Sequence, residues 1–238
     1  MPATYGRADL HMHTRHSDGR PTVRAVLDHA ARQTKLQVLA ITDHDTIEGA
    51  LEARSLQAQY PFDIVAGEEV TSRDGHILAL FITRLVSPGM SAAETVNAIH
   101  EQDGLAIAAH PFIAAGTFGK QSLSTQGVGD LIGNVPFDGV EIDNSTPLLR
   151  LANFRARRYN RAHGRLAELG NSDAHIVEAI GKSYTRFPGR TMVDLRRAIE
   201  QRRTRAHRTS YGIKELLAYG RFWWDSSRTP NQETARAE

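Results

Sequence analysis

The sequence predicts an α/β protein: a parallel sheet with helices outside it, either closed as a barrel or left open. Short apolar runs alternate with stretches of helical periodicity along most of the chain. Polar, histidine-rich motifs fall at the ends of those runs, and 238 residues of which 40% are hydrophobic suffice for one sizeable core.

The first run is Arg7 to His13, where Ala8, Leu10 and Met12 alternate with Asp9, His11 and His13, so one strand carries an apolar face and a polar one. From about Thr22, Val23, Val26, Leu27, Ala30 and Ala31 repeat at helical spacing, and Leu36 to Ile41 follows as a strand ending in Thr42-Asp43-His44. A helix near Ile47 to Gln59 and short strands near Ile64 to Val70 and Ile77 to Ile82 continue the rhythm. Ser91 and Glu94 then form a capping box that opens the next helix. Leu105 to Ala109 is a strand ending in His110-Pro111, and Gly139 to Ile142 is another. A long helical stretch runs from about Pro147 to Leu169, directly before the polar motif Asn171 to His175. Ile113 to Val135, with many Gly, Ser and Thr residues, is the expected long loop. The chain is expected to form one domain over residues 1–225, followed by a polar, disordered tail over 226–238.

The 29 basic and 27 acidic residues leave a net charge of +2, which argues against a protein that coats nucleic acid through its overall field. The absence of cysteine excludes disulfides and thiolate ligands, and directs any metal site toward His, Asp and Glu. Met1 to Leu10 lacks the pattern of a secretory signal, and no apolar run approaches the roughly 20 residues of a membrane span. A soluble, cytoplasmic protein without a membrane partner is the expectation.

His11, His13, His44, Glu69, His110, Glu141, Asp173 and His175 all fall at or just past the C-terminal ends of predicted strands, which is the active-site rim of an α/β barrel. His76 opens its strand instead. Taken singly, each has an ordinary reading: His44 or His110 as a hydrogen-bonded loop histidine, and Asp18-Gly19 or Asp173 as a turn or cap. Their concurrence overrides this, because burying so many ionisable groups uncompensated would cost roughly several kcal/mol per charge. Divalent cations supply the compensation. Imidazole and carboxylate donors suit zinc, manganese or iron, and a cluster of ions suits in-line displacement at phosphorus. Of the adjacent Glu68 and Glu69, only one can face the rim, and spacing alone does not select it.

Asp9-Leu10-His11-Met12-His13-Thr14 with Ser17-Asp18-Gly19, Thr42-Asp43-His44-Asp45, Gly67-Glu68-Glu69, Gly75-His76, Ala109-His110-Pro111 and Ser172-Asp173-Ala174-His175 together resemble the polymerase and histidinol phosphatase (PHP) family. The motifs occur in the family's order from Asp9 to about Phe187. The resemblance implies a distorted (β/α)7 barrel that binds two or three divalent ions (manganese, zinc or iron, with magnesium also admissible) and hydrolyses phosphate esters through a metal-bound hydroxide. It selects Glu69 as the bridging carboxylate and supports His76. Carried over residue by residue, it gives His11, His13, Glu69 and Asp173 to one ion, Glu69, His76 and His110 to a second, and Asp18, His44 and His175 to a third. Glu141 stands outside that set, as a group behind the ligands or on the substrate side.

The expected substrate is a phosphorylated small molecule, a nucleotide, or the end of a short single-stranded nucleic acid, with Lys120 and Asn144 as substrate contacts. The Arg-rich stretches Arg150 to Arg165 and Arg196 to Arg208 read first as solvated faces and second as guides toward the rim. Phe222, Trp223 and Trp224 read as a packing anchor. An amidohydrolase-like hydrolase and a non-catalytic metal-binding regulatory module are the alternative readings.

Overall fold

The computed structural model of the chain describes residues 4–113, 127–164 and 166–226. Among them nine strands form one sheet: β1 (Tyr5–Asp9), β2 (Val38–Ile41), β3 (Asp63–Ser72), β4 (Gly75–Leu80), β5 (Leu105–Ala108), β6 (Gly139–Asn144), β7 (Ala167–Asn171), β8 (Ser183–Pro188) and β9 (Arg205–Arg208). Their spatial order is β7-β6-β5-β4-β3-β2-β1-β8-β9. The sheet is mixed where a parallel one is expected: β3–β4, β4–β5, β1–β8 and β8–β9 are antiparallel. The reason for β4 is local, because two residues between Ser72 and Gly75 close a hairpin and leave no room for a crossover helix.

The sheet curls into a nearly closed barrel. Side chains join β7 to the β1 and β8 side: Thr185 Oγ1 accepts from Gly170 N–H at 3.1 Å and donates to Gly170 C=O at 3.0 Å. Asn171 Oδ1 accepts from Leu10 N–H at 3.0 Å, and Asp9 Oδ1 accepts from Ser172 N–H at 2.9 Å. Strand alternation then sorts the core. Ala8, Val38, Ala40, Val65, Leu78, Ile107 and Leu169 fill the interior, with Phe187 from β8.

The opposite side chains meet helices. Leu39, Ile41 and Ile64 pack with Val26 and Leu27 of α1 (Val23–Gln33), whose Thr22 side chain caps the first turn by accepting from Ala25 N–H. Val70, Ile77 and Ala108 pack with α2 (Glu48–Ser55) and α3 (Ala92–His100), and α3 begins at the expected Ser91–Glu94 capping box.

The stretch from Pro147 to Leu169 is not one helix. α4 covers Arg150–Tyr159, a π-turn covers Asn160–Gly164, and β7 follows. Asn160 breaks the run, since its side chain accepts from Leu166 N–H at 2.8 Å and donates to Leu166 C=O at 3.2 Å. Leu169 therefore points into the barrel instead of lying on a helix face.

Beyond His175 come β8, α5 (Met192–Glu200), β9 and α6 (Ile213–Ser226). α5 lies at the N-terminal end of the barrel, where Asp63 of β3 accepts from Met192 N–H at 2.7 Å. α6 buries Tyr219 and packs Phe222 and Trp223 against the α1 side, whereas Trp224 is exposed, so only part of the aromatic anchor is buried. The expected loop from Ile113 to Val135 contains a short 3₁₀ turn, Gly129–Gly133. Lys120 and residues 227–238 lie outside the described residues.

Candidate metal centre

His11 and His13 lie just past β1 rather than inside the strand, each on a buried segment whose backbone pairs with the β7 side through Ala174. His44 follows β2, Glu69 lies in β3, His110 follows β5, and Asp173 and His175 follow β7. His76 opens β4, yet it belongs to the same rim. β4 runs antiparallel to β3, so its first residues meet the last residues of β3, with Thr71 opposite His76.

Glu69 is at the middle. Its Oε2 lies 3.0 Å from His11 Nε2, 3.3 Å from His13 Nε2 and 3.4 Å from His44 Nδ1. Its Oε1 lies 3.0 Å from both His76 Nδ1 and His110 Nε2. Asp173 Oδ1 stands 3.5 Å from His11 Nε2 and 3.2 Å from His13 Nε2. At the outer side, Asp18 Oδ2 is 3.1 Å from His175 Nε2 and 3.9 Å from His44 Nε2. Glu68 points the other way, accepting from Val86 N–H at 3.0 Å, and burial pushes its carboxyl up to about 7.

The donor atoms fall into four overlapping groups: His11, His13 and Asp173; His11, Glu69 and His110; His44, Glu69 and His76; and His13, Asp18, His44 and His175. Within each group they lie within 4.8 Å of one another. Both ring nitrogens of His13 and Nδ1 of His76 are buried with no hydrogen-bond partner among the described residues, although carboxylate oxygens stand close by. Such a set of imidazoles and carboxylates fits a cluster of divalent ions.

The buried rings and carboxylates also shift one another's titration. Burial opposes charge on His13, but Asp173 and Glu69 overcome it and push the ring up to about 10. Against the same cost of burial, His11 holds Glu69 and Asp173 well below the usual carboxylate range. Desolvation, with His13 and His76 alongside, pushes His44 down to about 4 against the pull of Glu69 and Asp18. Three backbone outliers fall here as well, Asp45 at φ 52°, His110 at 26° and Asp173 at 53°. Strain of this kind persists only where surrounding structure enforces it.

Behind the donors lies a set of buried orienting groups. Glu141 is fully enclosed: Oε1 meets His11 Nδ1 at 3.0 Å and accepts from Asn171 Nδ2, while Oε2 accepts from His110 N–H and Asn144 Nδ2. That places it behind the donors. Asn144 differs from its expected role as a substrate contact. It is fully buried, its amide hydrogens go to Glu141 and Asp173, each at 3.0 Å, and its Oδ1 accepts from Thr146 N–H.

Asp43 is a group that sequence reasoning passed over. It accepts from Thr14 N–H, Thr14 Oγ1 and Ser17 Oγ at 2.6, 2.7 and 2.7 Å, fixing the loop that carries Asp18. Its position beside His44 was the available signal. The Arg-rich stretches are partly neutralised, with Arg157 3.1 Å and Arg208 3.5 Å from Asp143, and Arg196 paired with Asp103 and Glu200.

The family profile described as PHP-associated matches residues 150–204. The chain is 35% identical over 150 residues to the protein MJ1587 of Methanocaldococcus jannaschii, a match covering 58% of this chain and 82% of that one. It is 42% identical over 66 residues to the phosphoribosyl 1,2-cyclic phosphate 1,2-diphosphodiesterase of Eggerthella lenta, covering 28% of this chain and 25% of that enzyme. Its fold superposes, at a TM-score of 0.68 and 19% identity, on a two-domain protein from Bacteroides vulgatus containing a predicted PHP-like metal-dependent phosphoesterase, over 97% of this chain and 74% of that one. With the ordered motifs, the curled sheet and this rim of imidazoles and carboxylates, the PHP-associated profile and the extended match to MJ1587 support one assignment: the chain belongs to the PHP family.

Proposed function

We propose that this chain hydrolyses phosphate esters of a small phosphorylated metabolite, a nucleotide or an oligonucleotide end, with His11, His13, Asp18, His44, Glu69, His76, His110, Asp173 and His175 as the metal ligands. The carrying observation is Glu69, one buried carboxylate whose two oxygens stand within 3.0–3.4 Å of five imidazoles. Bound ions supply Lewis acidity toward phosphoryl oxygens and lower the pKa of a coordinated water.

The chain's own residues supply geometry and exclusion of bulk water. Glu69 bridges the two inner donor groups, and Glu141 fixes which nitrogen of His11 faces inward. Asn144 holds the second oxygen of Asp173 so that the first turns to His11 and His13. His11, His13, His76 and His110 are buried, whereas Asp18, His44 and His175 retain exposure, so substrate approaches over the group that holds Asp18, His44 and His175. Approach over those three partly exposed side chains suits a terminal phosphate better than the middle of a duplex. The diester named for the Eggerthella relative supports phosphorus as the electrophile, on a match to a quarter of that enzyme.

The test supplies p-nitrophenyl phosphate and a 5′-phosphorylated oligonucleotide to the protein with Mn²⁺ and after chelation, beside a cyclic-amide panel. Phosphate release that chelation abolishes, and that His13→Ala or Asp173→Ala loses together with metal, is the expected result. Turnover of cyclic amides alone, or full activity in either variant, would overturn the proposal.

A further inference from the structure

The face formed by β1, β8 and β9 carries a feature that the metal centre does not use. Arg7 of β1 stands directly opposite Arg186 of β8, and Arg186 stands directly opposite Arg205 of β9, so three exposed guanidinium side chains form one row across three strands. Like charges in register on one sheet face repel. No carboxylate of the described residues pairs with any of the three, although the molecule pairs Arg157, Arg196 and Arg208 elsewhere.

Rings alternate with the charges. Tyr5 lies under Arg186 at 4.0 Å and Tyr184 under Arg7 at 4.9 Å, and Tyr184 stacks on His207 of β9 at 5.5 Å and 10°. Tyr5 keeps 48% of its surface exposed. A contact between a guanidinium and a ring steadies the side chain but leaves its charge in place. Thr4, Tyr5, Gly6, Arg7, Tyr184 and Arg186 line a depression of about 380 Å³ on this face. The face starts at the N-terminal end of β1, whereas His11 and His13 follow its C-terminal end.

The geometry points to a second binding surface, for single-stranded nucleic acid, with backbone phosphates taken by Arg7, Arg186 and Arg205 and a base stacked on Tyr5. Charge selects a polyanion, since a second copy of the same face would set cation against cation. Rings between the charges select bases over a bare phosphate chain, because stacking on an aromatic side chain accepts any base. The surface stands apart from the hydrolytic reading of the rim and holds whether or not that reading does.

The experiment measures fluorescence anisotropy of a labelled oligothymidylate of about ten nucleotides with the full chain in EDTA, so that the metal centre holds no ion. Expected are salt-sensitive binding, at least about a tenfold loss in R7A/R186A/R205A, and a salt slope smaller by about 2 at about 0.7 per lost phosphate contact. Tyr5→Ala is expected to weaken binding about tenfold while Tyr5→Phe retains it. All variants should keep the wild-type circular dichroism spectrum and hydrolysis of p-nitrophenyl phosphate, because none of these residues touches the rim. Undiminished binding in the triple variant, no binding at low salt, or equal affinity of Tyr5→Ala would overturn the proposal. So would equal affinity for inorganic polyphosphate or for phosphatidylserine vesicles.

Discussion

Glu141 shows how one buried side chain sets the chemistry of others. It touches His11, the backbone of His110, Asn144 and Asn171 at once, and His11 holds its carboxyl below the ordinary range although burial pushes the other way. Glu141→Gln keeps the volume and removes the charge that steadies His11. Metal affinity, read by competition with a chelating dye, is expected to fall about 10–100-fold with the fold intact; an unchanged affinity would mean that packing alone orients the ring. A second residue-scale prediction concerns Gly19, where an added Cβ would collide with the backbone carbon and oxygen of His13. Gly19→Ala must move the Thr14–Gly19 loop and with it Asp18. The variant is expected to lose the most exposed metal first in a stepwise titration, and full stoichiometry at wild-type affinity would refute that. Much at this scale was legible beforehand, since His11, His13, His44, Glu69, His110, Asp173 and His175 all announce themselves at predicted strand ends. Asn144 misled because a polar residue after a strand looks alike whether it turns to solvent or to a buried carboxylate.

At the scale of elements, the closure between β7 and β8 rests on Thr185, whose hydroxyl serves both backbone groups of Gly170. Thr185→Val preserves shape and leaves a buried N–H and C=O without that partner. A loss of about 2–4 kcal/mol is expected from chemical denaturation, and a change under about 0.5 kcal/mol, the size of an ordinary surface substitution, would show that water or a backbone shift replaces the hydroxyl. The single helix expected from Pro147 to Leu169 failed at Asn160 for a related reason. Alanine and leucine spacing in that stretch fits a helix face, but a side chain that bonds to Leu166 turns the chain, and neighbouring β6 then recruits Ala167–Asn171 as a strand. His76 was doubtful for the same kind of cause: strand direction is not written in periodicity, and an antiparallel β4 places the start of a strand where a parallel one would place its end.

Across the whole molecule, the metal cluster is expected to contribute to folding, because only the folded chain brings the distant donors together. Adding Mn²⁺ should raise the melting temperature progressively, equivalent to about 2.7 kcal/mol at a hundredfold excess over Kd, and EDTA should reverse it. A melting temperature indifferent to both would mean that the imidazoles carry no ions. The near-zero net charge gave little sign of the local pattern, since +2 overall coexists with a row of three arginines that meet no carboxylate among the described residues. Composition sums charges, whereas register decides which of them meet.

By itself the sequence determined the alternation of strands and helices, the oxygen and nitrogen character of any metal site, and the candidate donors, because these depend on residue type and on short periodicities. Only the tertiary structure decided that β4 runs backward, that Asn144 serves Asp173, and that Arg7, Arg186 and Arg205 line up. Each of these turns on strand direction and register, and a one-residue slip in register reverses the face on which every side chain lies.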